Sequence, residues 1–202
     1  MLPQRIKKFV ELFQELPGIG PRQATRLAFY VKNLGAAAIR EFADVIRELG
    51  YLRTCGKCFV TYETHDAHGK ESRWCHLCAD EKRDSARIAV VEKETDLLSL
   101  EKTKRWRGAY LVLGELEKDG ALSPEQRLRL KSLAHRFKKE PAEEIVIAMN
   151  PTAYGDLNAA SIEHELKGAA KKISHLGRGI PTGGEIEFAD EETLTGALEH
   201  RS

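Results

Sequence analysis

A chain of 202 residues is long enough to bury a core of ordinary size, as one large domain or as two to three small ones. With 42% hydrophobic and 31% charged residues it is neither poor enough in apolar side chains for disorder nor rich enough for a membrane, and no apolar run approaches a bilayer span. The net charge of +1 conceals an asymmetry: residues 1–53 carry nine Lys or Arg against five acids, +4, whereas 54–85 sum to −1 and 86–202 to −2. Any contact with nucleic acid is therefore expected to start at the N-terminal end, although a solvated helix face carries such an excess equally well.

The first residues, Met1 to Ile6, lack the apolar core and small-residue cleavage site of a secretory signal, so a cytoplasmic location is expected. Ile6, Phe9, Val10 and Phe13 recur at helical spacing after Pro3. Leu16-Pro17-Gly18-Ile19-Gly20 breaks that helix, and a second starts at Pro21, places Ala24, Leu27, Ala28 and Val31 on one face, and stops at Asn33-Leu34-Gly35. A third carries Ile39, Phe42, Ala43, Ile46 and Leu49 and ends at Gly50, so three short helices fit one small domain. The turn between the first two looks like a helix-hairpin-helix element. Gly18 and Gly20 let backbone approach a DNA phosphate and present N–H groups at a helix start, and Arg22 and Arg26, four apart, share the flanking face. An ordinary turn between helices with two solvated arginines is the plainer alternative.

Residues 54–84 are too short and polar to enclose a core, and their cysteines supply the substitute. Cys55-Gly56-Lys57-Cys58 and Cys75-His76-Leu77-Cys78 are two C-x2-C knuckles sixteen residues apart, and they hold every cysteine in the chain. That spacing brings four thiolates around one tetrahedral zinc, structural because no position is left for water. Disulfides suit a cytoplasmic chain poorly, and a redox C-x-x-C would be single and placed on a βα unit. His65, His68 and His76 are nearby candidates for a swapped ligand.

Beyond Ala86, apolar strand-like runs (Ile88–Val91, Tyr110–Leu113, Ile145–Met149, Ile173–Leu176) alternate with helices near Asp96–Lys102, from Pro124, and after Met149. This alternation predicts a mostly parallel sheet covered by helices. Ser123 with Gln126 forms a capping box for the helix at Pro124. Glu92 follows the first strand and Asp156 the third, so the two acids are candidates for one crevice holding a hard cation, unless Asp156 only caps the following helix. No G-x-x-x-x-G-K-[ST] occurs, which disfavours a P-loop NTPase. Trp74 and Trp106 are candidates for stacking on bases, though burial is the commoner role. Gly179-Ile180-Pro181-Thr182-Gly183-Gly184-Glu185 is a turn-rich loop with room for a close contact to a partner or DNA.

Taken in order, the hairpin Leu16–Pro21 with Arg26-Leu27-Ala28-Phe29, the four cysteines, Val90-Val91-Glu92, Asn150-Pro151-Thr152, and Gly179–Glu185 with Ala189-Asp190-Glu191 make the chain resemble the bacterial RecR family over essentially its whole length. The fold expected is an α+β, multi-module chain. It comprises a helical helix-hairpin-helix domain (1–53), a four-cysteine zinc module (54–84), a Toprim-like α/β domain (85–178) and a short C-terminal segment of Gly-rich loop and helix (179–202).

The resemblance implies a non-enzymatic mediator of recombinational repair. Such a protein assembles into a ring of up to four copies, clamps single- or double-stranded DNA without reading sequence, and works with RecO and RecF in loading RecA. It also implies that Arg22 and Arg26 are the family's basic hairpin pair, and Glu92 and Asp156 its Toprim acids. Two positions depart from the family pattern and bear on RecO contact: Tyr154 stands where a glutamate is usual, and 114–121 reads Gly-Glu-Leu-Glu-Lys-Asp-Gly-Ala in place of a Ser-Pro-Leu-Asp-Gly-like loop. Toprim-like domains also occur in magnesium-dependent nucleases and topoisomerases, which makes such an enzyme the competing class. A zinc-stabilised adaptor that binds only protein is the third.

Overall fold

A computed structural model of the chain describes residues 2–65, 69, 71–199 and 201. They fall into two compact units, Met1–Leu52 and Arg53–Ser202.

The first unit holds α1 (Gln4–Phe13), α2 (Pro21–Asn33) and α3 (Ala36–Leu49). Small Ala24 and Ala28 on α2 let α1 approach closely, and with Val10 they form the buried centre against Ile6, Phe9, Phe13 and Ile19. The third predicted helix is present but adds nothing to that centre, since none of its residues is buried. Its apolar stripe stays open, with Phe42 55%, Val45 54%, Ile46 58% and Leu49 61% exposed. Periodicity identifies an apolar face; it does not say what covers it.

The second unit opens on a hairpin of β1 (Arg53–Thr54) and β2 (Thr61–Tyr62), then the single turn α4 (His76–Ala79). There follow β3 (Asp84–Val91), α5 (Glu94–Lys102), β4 (Gly108–Val112), α6 (Pro124–Arg136), β5 (Glu144–Ala148), α7 (Ala153–Glu165), β6 (Ile173–His175) and α8 (Glu191–Glu199). Strands β3 to β6 form one parallel sheet in the order β4-β3-β5-β6.

Strand alternation divides this unit's core between the two faces of the sheet. Ile88, Val90, Leu111, Leu113, Ile145 and Ile147 pack with Leu130, Leu133, Ile162 and Leu166 of α6, α7 and the end of α7. Their neighbours Ala89, Val91, Tyr110, Val112 and Ala148 pack with Leu97 of α5 and with Cys55, Cys58, Val60, Cys75 and Leu77. The cysteine segment is therefore one wall of the sheet's core. At α6 the expected capping box is formed: the Gln126 N–H donates to Ser123 Oγ at 3.2 Å and the Ser123 N–H to Gln126 Oε1 at 2.8 Å.

At the amino ends of the strands Glu144 accepts from Arg87 at 2.6 Å, from Ser174 at 2.9 Å and from Lys172 at 3.1 Å. Those contacts, Arg87 foremost, hold its carboxyl down to about 2. A carboxylate depressed on folding contributes stability above its unfolded pKa and loses it as pH falls through the folded value. The melting temperature is therefore expected to drop between about pH 5 and 2. Glu144→Gln should flatten that limb and cost about 1–2 kcal/mol at pH 7, a figure reduced for solvent screening at this edge. Thermal melts of both chains at stepped pH check it, and parallel pH profiles would refute the assignment.

Candidate functional site

The knuckle at Cys55 is closed by its own backbone: the Phe59 N–H donates to Cys55 O at 2.8 Å and the Cys55 N–H to Val60 O at 2.9 Å. At the second knuckle the Ala79 N–H donates to Cys75 O at 3.0 Å, starting α4. The four Sγ atoms lie within 4.8 Å of one another, with Cys55, Cys58 and Cys75 buried and Cys78 half-buried. A tetrahedral site with metal–sulfur bonds of about 2.3 Å sets its sulfurs about 3.8 Å apart, so the group fits one ion. Hydrogen bonds from Cys58 first, then Cys78, hold the Cys75 thiol far below its ordinary range. The same pairing with Cys75, then Cys78 and burial, pushes Cys58 far up. Thiols this close cannot all ionise by themselves, and a divalent cation removes the conflict.

The centre is tied to the sheet. The Val112 N–H of edge strand β4 donates to Cys58 O at 2.8 Å. Arg83, after the second knuckle, bonds both carboxylate oxygens of Glu101 on α5 at 3.0 and 2.5 Å and Gly108 O at 3.1 Å. Among the described residues the cysteines are the one group of three or more side chains able to hold a metal. His65 and His76 are exposed and outside it, and His68 lies outside the described residues.

In the hairpin, Gly18 has φ +77°, a backbone conformation that L side chains rarely adopt. No atom stands within 4 Å of where a Cβ would sit on Gly18 or Gly20, so the turn is open to a ligand's approach. Gly20 caps α2 without a side chain, and Pro21 opens the helix, leaving the following N–H groups unpartnered by any cap. Arg22 and Arg26 are both exposed on that first stretch of helix.

The two acids line separate hollows. Glu92 lines a cleft of about 410 Å³ with Leu116, Glu117, Asn150, Tyr154 and Asn158. There it accepts from Asn150 Nδ2 at 3.3 Å and pairs with Lys93 at 3.3 Å. Asp156 lines other hollows, beside α8, where Arg178 bonds both Asp156 and Glu192. Nor does Asp156 cap α7: Thr152 does, its Oγ1 accepting from the Gly155 N–H at 3.0 Å. Gly155 is required there, because a Cβ would collide with the Asn150 carbonyl. Arg178 had no signal in the sequence, since its partners are distant in the chain.

Family comparison follows the same order of parts: a RecR helix-hairpin-helix model matches residues 6–49, a Toprim domain model 86–177 and a RecR C-terminal model 179–202. Recombination protein RecR of Staphylococcus aureus, in strains JH9, Newman and COL, is 35% identical over 205 residues, covering 99% of this chain and 98% of the relative. The chain belongs to the RecR family. The α+β architecture expected of RecR is present, with the helical hairpin first, the four cysteines drawn together and a four-stranded parallel sheet behind them. No helix among the described residues is long and apolar enough to cross a membrane.

Proposed function

We propose that this RecR-family chain is a non-enzymatic mediator of recombinational DNA repair that holds DNA, single- or double-stranded, without reading its sequence. It acts as a ring-like homo-oligomer of two to four copies, with one structural Zn2+ on Cys55, Cys58, Cys75 and Cys78. The observation that carries the reading is the open Gly18–Gly20 turn beneath the bare start of α2, flanked by exposed Arg22 and Arg26. Backbone N–H groups at a helix start and two guanidinium groups suit phosphate and leave base edges unread.

Each phosphate neutralised contributes about 0.9 to the slope of log affinity against log salt on duplex DNA. In Arg22→Ala with Arg26→Ala, duplex affinity is expected to fall about 10- to 100-fold at low salt and the slope by about two. Titration by fluorescence anisotropy at several salt concentrations checks this. An unchanged affinity and slope would move the DNA surface elsewhere.

The uncovered stripe of α3 supports self-association, because a free helix face of Phe42, Val45, Ile46 and Leu49 is unfavourable in water. The enzyme alternative draws no support from the acids, which lie in different hollows and are each paired with a cation. Four thiolates leave a bound zinc no open position for substrate.

The Glu92 cleft, lined in part by half-exposed Tyr154, is assigned to partner contact, RecO first and RecF in the same pathway of loading RecA onto single strands. Glu92→Lys is expected to weaken binding of purified RecO about tenfold, as read by surface plasmon resonance, while DNA affinity is kept. Equal RecO affinity would remove the cleft from that role.

A further inference from the structure

Trp74 stands directly before Cys75, half-buried, and two cations lie over its ring: Lys57 Nζ at 4.5 Å from the centroid and the Arg73 guanidinium at 4.9 Å. Three other cation–ring contacts in this unit use arginines already paired with acids, Arg83 with Glu101, Arg87 with Glu144 and Arg129 with Glu125. Lys57 and Arg73 are exposed and have no acid partner among the described residues. A third cation, Arg136 at the end of α6, reaches the same knuckle, its Nη1 donating to Lys57 O at 3.3 Å, and it too has no acid partner among the described residues.

Like charges brought to one ring repel, and an anion laid across them removes the cost. The positions are also pre-set. Lys57 sits inside one metal-binding knuckle and Arg73 two residues before the other, so folding around the metal fixes their backbones and little entropy remains to be lost on binding.

We propose that Lys57 and Arg73 over Trp74, with Arg136 bonded to the Lys57 carbonyl, form a second nucleic-acid face, on the cysteine module, that takes the phosphate backbone of single-stranded DNA. This rests on the reading that the chain binds DNA and adds a contact on the unit that lacks the hairpin. A single carboxylate would satisfy one of these cations; three, contributed by separate elements, match a repeating polyanion. Single strands are favoured because their backbone is flexible enough to follow cations set by separate elements, whereas a duplex holds its phosphates at fixed spacing.

The test uses the full metal-bound chain with Trp106→Phe, so that Trp74 is the sole indole emitter. Adding a thymidine oligonucleotide is expected to change Trp74 emission saturably, with reversal by salt, and Arg22→Ala with Arg26→Ala should leave a Trp74 response at higher DNA concentration. Lys57→Gln with Arg73→Gln is expected to lower single-strand affinity about tenfold and the salt slope by about 1.4, with metal content unchanged. Arg136→Gln, outside both knuckles, should lower the slope by about 0.7 and guards against effects of metal loss. If the parent chain binds DNA while these variants match it in affinity and slope, the second face is overturned and the hairpin reading stands. If the parent binds no DNA, both fall. An equal Trp74 response to polyglutamate at the same salt would overturn the face in favour of an acidic protein surface.

Discussion

Cys58→Ser is expected to release the metal and lower the melting temperature by about 8–20 °C. Cys58 is one of the four cysteines drawn together, its Sγ 3.3 Å from that of Cys75, and a buried member of the sheet's second face, and the carbonyl of its knuckle engages Val112 on edge strand β4. Structural zinc contributes about 10–16 kcal/mol to isolated finger peptides. Here the sheet retains its other face, so a loss of about 4–5 kcal/mol is expected, at about 2–4 °C per kcal/mol for a chain of this size. Melts followed together with metal content by atomic absorption check it, and the parent chain stripped with a chelator should melt alike. A serine variant that keeps the parent's melting temperature would show that the cysteines do not hold this wall. DNA affinity should fall only as a consequence of lost folding or assembly.

Phe42→Asp with Ile46→Asp is expected to have the second large effect, on assembly instead of folding. Both side chains are more than half exposed on α3, where no residue is buried, so charge there disturbs none of the unit's buried centre and the melting temperature of the separated protomer should hold. If that stripe joins copies, light scattering should record the mass of one chain. DNA affinity should then fall about 100-fold or more, because one hairpin per chain is a small contact and avidity multiplies it. A variant of unchanged mass would place the joining surface elsewhere.

Features set by neighbours in the sequence were legible there. Two C-x2-C knuckles declare their metal geometry, Ser123 and Gln126 their capping box, and unbroken runs such as Ile145 to Ala148 a strand buried on both faces. What depended on distant pairing was not. Glu92 and Asp156 both follow strands, and β3 and β5 are neighbours, yet side-chain direction beyond a strand end is set by the turn. Thr152 takes the capping role, and Asp156, one helical turn on, is drawn to Arg178 beside α8. Lys57 over Trp74 was hidden for the same reason, since the convergence of the two cysteine knuckles, not chain proximity, brings it to the ring. Likewise α3 shows its apolar stripe in sequence, while the uncovered state of that stripe emerges only once α1 and α2 have closed on each other.

Several copies of this chain are expected to act together on one DNA. Native mass spectrometry of the metal-bound chain, alone and with one equivalent of a DNA duplex, tests it most directly. The expected result is a dimer or tetramer carrying one zinc per chain, and a single species that adds one duplex to the whole assembly. A strict monomer that remains a monomer when DNA is present would contradict it.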